Sequence, residues 1–419
     1  MKNHVVNKVS IRLPASDYEN ARNLQKNAQN WSSHYLPGIL EKVFDEYSKN
    51  NEYYFIDKVE IELTKFPWQL TEQEWKQKLA ETLLGKSMPK LPVEVVFKHW
   101  VFYLANGVFE RNAVIKKLME IEKFFFEHKL KFSSAELFLL NRVFSSETSI
   151  KRLFFSHSEA FVCQVITHFF KFDKIKSEQI YKEIKSRMLQ QPSTMLEFIK
   201  KLNYVALQKR SDLKEKMLER ILQNPDKPII DESVTREPED KKVSEKEEDM
   251  MDSGVYLYCA NAGFVILLPF IKRFLEHIGL VENDSFIEES AKLKACNVLH
   301  FLATGKAAEE EQHLLLPKIL CGIEISEYVE LTDIFTENIQ SEAEDLLVSV
   351  IQHWEILKNT SVESLRESFL ERDGQLRFDS AFILQVSTSG LDVLLDSIPW
   401  GFRNFKLPWM QQSLITEWH

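Results

Sequence analysis

The pair best placed to do chemistry is Cys296 and His300, four residues apart in CNVLHFLATG. On a helix this spacing sets a thiol and an imidazole on one face, the start of a chelate that Cys259 or Cys321 could extend. Two ligands do not make a zinc site, however. Four cysteines (Cys163, Cys259, Cys296, Cys321) scattered without a CxxC pair read as buried thiols of a reducing compartment. His353 stands beside Trp354, and Asp373, Asp392, Asp396 and Glu417 offer carboxylates further along. A general base needs a partnered nucleophile, and none is legible near His353. Turn and strand positions account for each carboxylate separately. HExxH, a P-loop, GxGxxG and GxSxG are absent. The sequence specifies no reaction, no cofactor and no metal.

The elements that must hold these residues begin with the most apolar run of the chain, VYLYCANAGFVILLPFIKRF, Val255 to Phe274. Its first seventeen residues carry no charge, but a membrane-spanning helix needs about 20 and tolerates few breaks. Asn261, Gly263 and Pro269 interrupt it. Leu267, Leu268, Phe270, Ile271, Phe274 and Leu275 then recur at helical spacing opposite Lys272, Arg273 and Glu276. The run reads as a core element, irregular from Asn261 and helical up to Gly279.

Around it, 419 residues with 44% hydrophobic content and thirty Phe are enough for real cores in two or three domains. The expected fold is mostly helical α+β. NKVSIRL (Asn7–Leu13) and DKVEIEL (Asp57–Leu63) echo one another with strand alternation and flank a helical stretch, giving a small strand–helix–strand unit over 1–66. A helical region over 67–223 opens with TEQEWKQKLAETLLG, where Thr71 and Glu74 form a capping box and Gly85 ends the helix. Ser133-Ser134, Ser145-Ser146 and Pro192 are among its breaks, and Phe124–Phe126 and Phe154-Phe155 read most simply as core. Residues 224–252 hold eleven acidic and five basic residues, three Pro and no aromatic, the composition of a disordered linker.

The remaining residues, 253–419, read as a helical domain with a terminal β-hairpin. Gly305 caps the helix of CNVLHFLATG, and LLLPKILCG ends at Gly322. A capping box at Ser341 and Glu344 opens a helix with the apolar stripe Ala343, Leu346, Leu347, Val350, Ile351, Trp354 and Leu357. A second box, Thr360 to Glu363, opens a helix running to Arg372. FILQVS and LDVLLD around Thr388-Ser389-Gly390 read as the hairpin. A net charge of −10 argues against nucleic acid as a partner, and the N-terminus lacks the apolar stretch of a secretory signal, so the chain is expected to begin in the cytoplasm.

Six segments in fixed order carry a resemblance: NAGFVILLPF, LHFLATG, KILCG, HWEILKNTSVESLRESFLERDG, LDVLLDSIPWGF and the closing LPWM…EW. Over nearly all of Val255–Trp418 they resemble the contractile injection system tape measure family, and HVVNKVSIRL…ARNLQ and FIDKVEIEL resemble the family's opening. The resemblance implies a structural protein of an extracellular phage-tail-like particle, a contractile sheath around a rigid tube on a baseplate. There it would help set the length of tube and sheath. Implied partners are tube, baseplate or sheath-associated subunits, met in the cytoplasm during assembly or inside the tube of the finished particle. The positions carried over are Asn261, Gly263, Pro269, Phe270, Leu302, Gly305, Cys321, Gly322, His353, Trp354, Lys358, Asn359, Ser361, Arg366, Phe369, Arg372, Asp392, Pro399, Trp400, Pro408 and Trp409. None is catalytic in the resemblance; they read as fold determinants or assembly contacts.

Two other roles stay open: a baseplate adaptor or assembly chaperone of the same system, and, from another class, a cytoplasmic enzyme built on His353. One departure matters for a ruler. The 29 residues of 224–252 reach about 100 Å at full extension, short for a tube that crosses an envelope. Either the helical stretch 71–222 also lies extended in the lumen, or the chain is not a simple ruler.

Overall fold

The computed structural model describes residues 11, 18–47, 61, 65–84, 91–128, 131–208, 211–224, 255–332 and 335–418. The chain divides into two units, Met1–Lys98 with Asn112–Ile115, and His99–Arg111 with Lys116–His419. Its character is α+β and mostly helical.

In the first unit, helices α1 (Tyr18–His34), α2 (Leu36–Tyr47) and α3 (Glu72–Leu84) close around Trp31 and Trp75, whose rings stack with centroids 5.0 Å apart. The Trp75 indole N–H donates to the Pro67 carbonyl at 2.9 Å, so its polar edge is satisfied inside the core. Thr71 and Glu74 form the expected capping box: the Thr71 N–H donates to Glu74 Oε2 at 2.7 Å and the Glu74 N–H to Thr71 Oγ1 at 3.3 Å. Ile11 and Ile61, the matching positions of the two echoing heptapeptides, both pack on this core. The rest of those two expected strands, like Gly85, lies outside the described residues.

The second unit starts inside helix α4 (Val93–Asn106) and continues through α5 (Leu118–Glu127), α6 (Ser134–Val143), α7 (Glu147–Ser156), α8 (Glu159–Phe170), α9 (Lys174–Gln190), α10 (Pro192–Ala206) and α11 (Ser211–Gln223). The serine breaks start helices: Ser133, Ser146 and Ser158 each accept a backbone N–H from the first turn, and Pro192 takes the first position of α10. The phenylalanine runs divide. Phe124, Phe125 and Phe154 are buried, whereas Phe126 and Phe155 are exposed, the latter stacked on Tyr328. The expected linker lies outside the described residues beyond Asn224.

After it, β1 (Leu257–Cys259) leads into a 3-10 turn, Ala262–Leu267, and helix α12 (Leu268–His277), with Pro269 in the first turn, where a missing N–H costs nothing. Ala262 to Leu268 are all fully or almost fully buried, so the apolar run is core, as expected. Among the described residues, no helix is long and apolar enough to cross a membrane. A two-residue hairpin, β2 (Val281–Glu282) and β3 (Ser285–Phe286), precedes α13 (Glu289–Thr304), which Gly305 ends as expected. Helices α14 (Leu315–Leu320), α15 (Glu337–His353) and α16 (Val362–Leu365) follow. The sheet is completed by β4 (Gly374–Phe378), β5 (Phe382–Val386), β6 (Asn404–Phe405) and β7 (Leu414–Glu417), in the spatial order β1-β4-β5-β7-β6. Among the described strands only β5 and β7 run parallel. The outer edge of β1 is taken by residues 109–111, through Tyr258 N–H to Phe109 O at 2.9 Å and Arg111 N–H to Tyr256 O at 2.7 Å.

Three expectations need correction. LDVLLD is not a strand; Gly390–Ser397 is a 3-10 helix. Ser389 caps it by accepting the Leu391 N–H, and Asp392 accepts the Ser389 N–H, a capping arrangement that outcompetes the strand pattern. The hairpin is β4–β5, one element earlier. Helix α15 starts one turn before Ser341, at a cap where Thr336 accepts the Ile339 N–H, so Ser341 is interior. In the next helix Ser361, not Thr360, is the cap, and α16 loosens into a π turn over Arg366–Leu370 instead of continuing regularly.

Candidate functional site

The positions that carry the resemblance come from distant parts of residues 261–409, and many meet one another. Gly263 is the tightest meeting. A Cβ placed there would sit 1.7 Å from the Phe369 carbonyl oxygen, so no side chain fits between the 3-10 turn and the π turn. Asn261, just before it, donates from its amide to His300 Nδ1 at 3.1 Å. Gly305 lies under the Arg366 guanidinium, which donates to the Leu302 carbonyl at 3.4 Å and faces Glu344 at 3.8 Å. Arg372 donates to Ser368 O and Ser389 Oγ and pairs with Asp392 at 3.6 Å.

The tryptophans lock the same body. Trp400 donates its indole N–H to Ile266 O at 2.8 Å and meets Phe270 edge-on, with centroids 5.0 Å apart. Trp354 is fully buried against Phe369 and donates to Ser397 Oγ. Trp409 donates to Leu320 O at 2.7 Å, beside Cys321, and its own carbonyl lies against Gly322. Trp400 and Trp409 keep one side in solvent while packing on the core. Five carried-over positions have no such internal role: His353, Lys358, Asn359, Pro399 and Pro408 are exposed.

The candidate chemistry does not assemble. Among the described residues no group of three or more histidines, cysteines or carboxylates converges on a metal position. Cys296 is buried, and burial pushes its thiol well above the ordinary range. Burial, helped by nearby His313, lowers His300 to about 4, so it is a neutral core imidazole. His353 bonds Ser349 O of its own helix. Asp373 accepts from the Tyr258 hydroxyl, Asp392 serves Ser389 and Arg372, Glu417 accepts from Gln385, and Asp396 is exposed. The three carboxylates with partners, Asp373, Asp392 and Glu417, each serve a separate local bond.

What the sequence reading missed is a buried ionic cluster at Glu311. Arg152, on α7 and fully buried, uses all five of its donors: Nε and Nη2 to Glu311, Nη1 to Leu104 O and Ala105 O, and Nη2 again to Ser326 O. Lys318, equally buried, uses all three of its donors, to Glu311 Oε1 at 2.5 Å, Ile325 O and Glu327 O. Burial lowers the lysine's pKa, and Glu311 opposes that shift. Two cations on one carboxylate leave a positive excess. Carbonyls absorb it, including those in the last turn of α4, where the helix dipole is negative. Gly107, at φ 71°, makes room: a Cβ there would lie 2.7 Å from Glu311 Oε1 and 2.9 Å from Arg152 Nε. The only sequence signal was the triplet Glu310-Glu311-Gln312 inside the polar run Glu309–His313 that precedes the apolar LLLPKIL. Each member is used: Glu310 accepts the Leu118 N–H at the start of α5, and Gln312 donates to Lys116 O.

A family model described as contractile injection system tape measure protein matches residues 3–418, nearly the whole chain. No curated protein and no solved structure matches it.

Proposed function

The chain belongs to the contractile injection system tape measure family, and from that premise we propose that it acts as a folded, non-enzymatic assembly protein for the particle's tube and baseplate. The observation that carries this reading is the Arg152–Glu311 pair, which ties residues 99–111 and 116–223 to the motif-bearing C-terminal residues of the same unit. Drawing residues 99–222 out along a lumen would expose two buried cations and break a fully bonded network. A body that recruits subunits needs no such unfolding.

In this reading the interior motif residues, Gly263, Gly305, Gly322, Arg366, Arg372 and the tryptophans, maintain the body. The exposed ones, His353, Lys358, Asn359, Pro399 and Pro408, contact tube or baseplate subunits. The test is a His353→Ala, Lys358→Glu, Asn359→Ala triple variant in the producing cell. Its melting temperature should match that of the parent, while the yield of complete particles seen by electron microscopy collapses. Normal particle yield from this variant would remove the surface from the proposal. Mass spectrometry of purified particles then separates a resident component, present at low copy number, from a chaperone that has left.

A further inference from the structure

Three kinds of bond join residues 99–223 to residues 255–418. The first is ionic: Arg152 takes two carbonyls, Leu104 and Ala105, from one side, and Glu311 and Ser326 from the other. The second is a sheet edge, where Phe109 O and the Arg111 N–H pair with β1. The third is a helix cap, Glu310 receiving the Leu118 N–H at 2.9 Å.

Separation of the two parts would leave unmet buried groups on both. Arg152 would lose Glu311 and the Ser326 carbonyl, Glu311 would keep only Lys318 as a cationic partner, and β1 would be left with an open edge. The α5 N-terminus would lose its acceptor.

We propose that residues 99–223 and residues 255–418 are obligate folding partners, joined through Glu311, so that the polypeptide between them can be severed without the two parts coming apart. This goes beyond the assembly role and does not depend on it: the partnership is a property of the isolated chain.

The experiment uses the full-length protein with a protease recognition site inserted after Glu239, cleaved and then run on a size-exclusion column at neutral pH. Both fragments should elute together at the volume of the uncut protein, with no loss of either from the peak. They should part only in denaturant. Native separation of the cleaved fragments would overturn the proposal, and this arm needs no substitution that could fail to fold. In a second arm, cleaved Glu311→Gln protein should release its fragments at least about a hundredfold more readily, the lower bound that corresponds to loss of one partner from a buried pair. The control Glu342→Gln, half-buried in a surface pair with His277, should behave like the parent. Equal retention of fragments by Glu311→Gln and by the control would also count against the role assigned to Glu311.

Discussion

Arg152 and Glu311, 159 positions apart in sequence, meet at 2.7 Å with almost no exposed surface on either side chain. A pair this deep is costly to form and more costly to break on one side only. Arg152→Ala or Glu311→Ala should each lower unfolding stability by about 3–5 kcal/mol, read from denaturant midpoints. Replacing Arg152, Glu311 and Lys318 together by Met should be much milder, because no buried charge is then left unmatched.

Gly263 makes a sharper steric prediction. Gly263→Ala drives a methyl group into the Phe369 carbonyl, and both partners are backbone, so the strain cannot be relieved by a rotamer change. A loss of about 3 kcal/mol in a thermal or denaturant melt is expected, the upper end for overpacking. Gly38→Ala is the control. It lies in α2 with nothing within 4 Å of the added Cβ, and should be neutral or stabilising by about 0.5–1 kcal/mol.

The two Pro-Trp pairs test how far the resemblance reflects folding. Trp400→Phe keeps most of the ring against Phe270 but leaves Ile266 O without its donor, a loss of about 1–3 kcal/mol. Trp400→Ala also forfeits the packing and should lower the melting temperature further. An unchanged melting temperature for Trp400→Ala would assign this residue to a partner surface instead.

Much of this was readable locally. The Thr71–Glu74 box, the Gly305 cap and the Leu347–Val350–Trp354 stripe depend on residues within a few positions, and periodicity reports them directly. Leu391–Asp396 shows the limit. Its apolar and polar residues fit a strand or a helical turn, and the deciding signal was the Ser389–Asp392 cap spacing. Strands β1 and β6, at three and two residues, are too short for any period to show. Arg152 was invisible for another reason: nothing near it in sequence names a partner 159 positions away. The same holds for the motif residues, whose mutual contacts appear only once α13, the π turn and the C-terminal strands are folded together.

Acid should weaken the second unit. His157 accepts the Trp100 indole N–H at Nε2, 2.9 Å away, so its Nδ1 carries the proton and donates to Glu122. A second proton would set two donors against each other, and burial, partly opposed by Glu122, lowers the histidine's pKa from 6.5. His99 and His300 are likewise lowered to about 4 by burial. A histidine depressed in the fold binds its proton first in the unfolded chain. Its stability contribution is therefore intact above pH 6.5 and falls away as pH drops from there toward the folded value. Denaturant midpoints at pH 7.5 and pH 5 should differ, the lower pH being less stable, and His157→Gln should reduce the difference.

The last prediction concerns length. Asn224 and Val255 both belong to the second unit, so the segment between them begins and ends on one folded body. Residues added near Glu239 lengthen that segment without moving either end. Tube length in particles should then be the same for inserts of ten, twenty and thirty neutral residues, measured by electron microscopy. A taut ruler predicts otherwise: twenty residues would add about 70 Å if extended or about 30 Å if helical. Tether arguments favour the first outcome, because the effective concentration of linked parts changes only slowly with loop length. A length that grows in proportion to the insert would make residues 225–254 the measuring segment. The folded body would then be the anchor from which the measurement is taken.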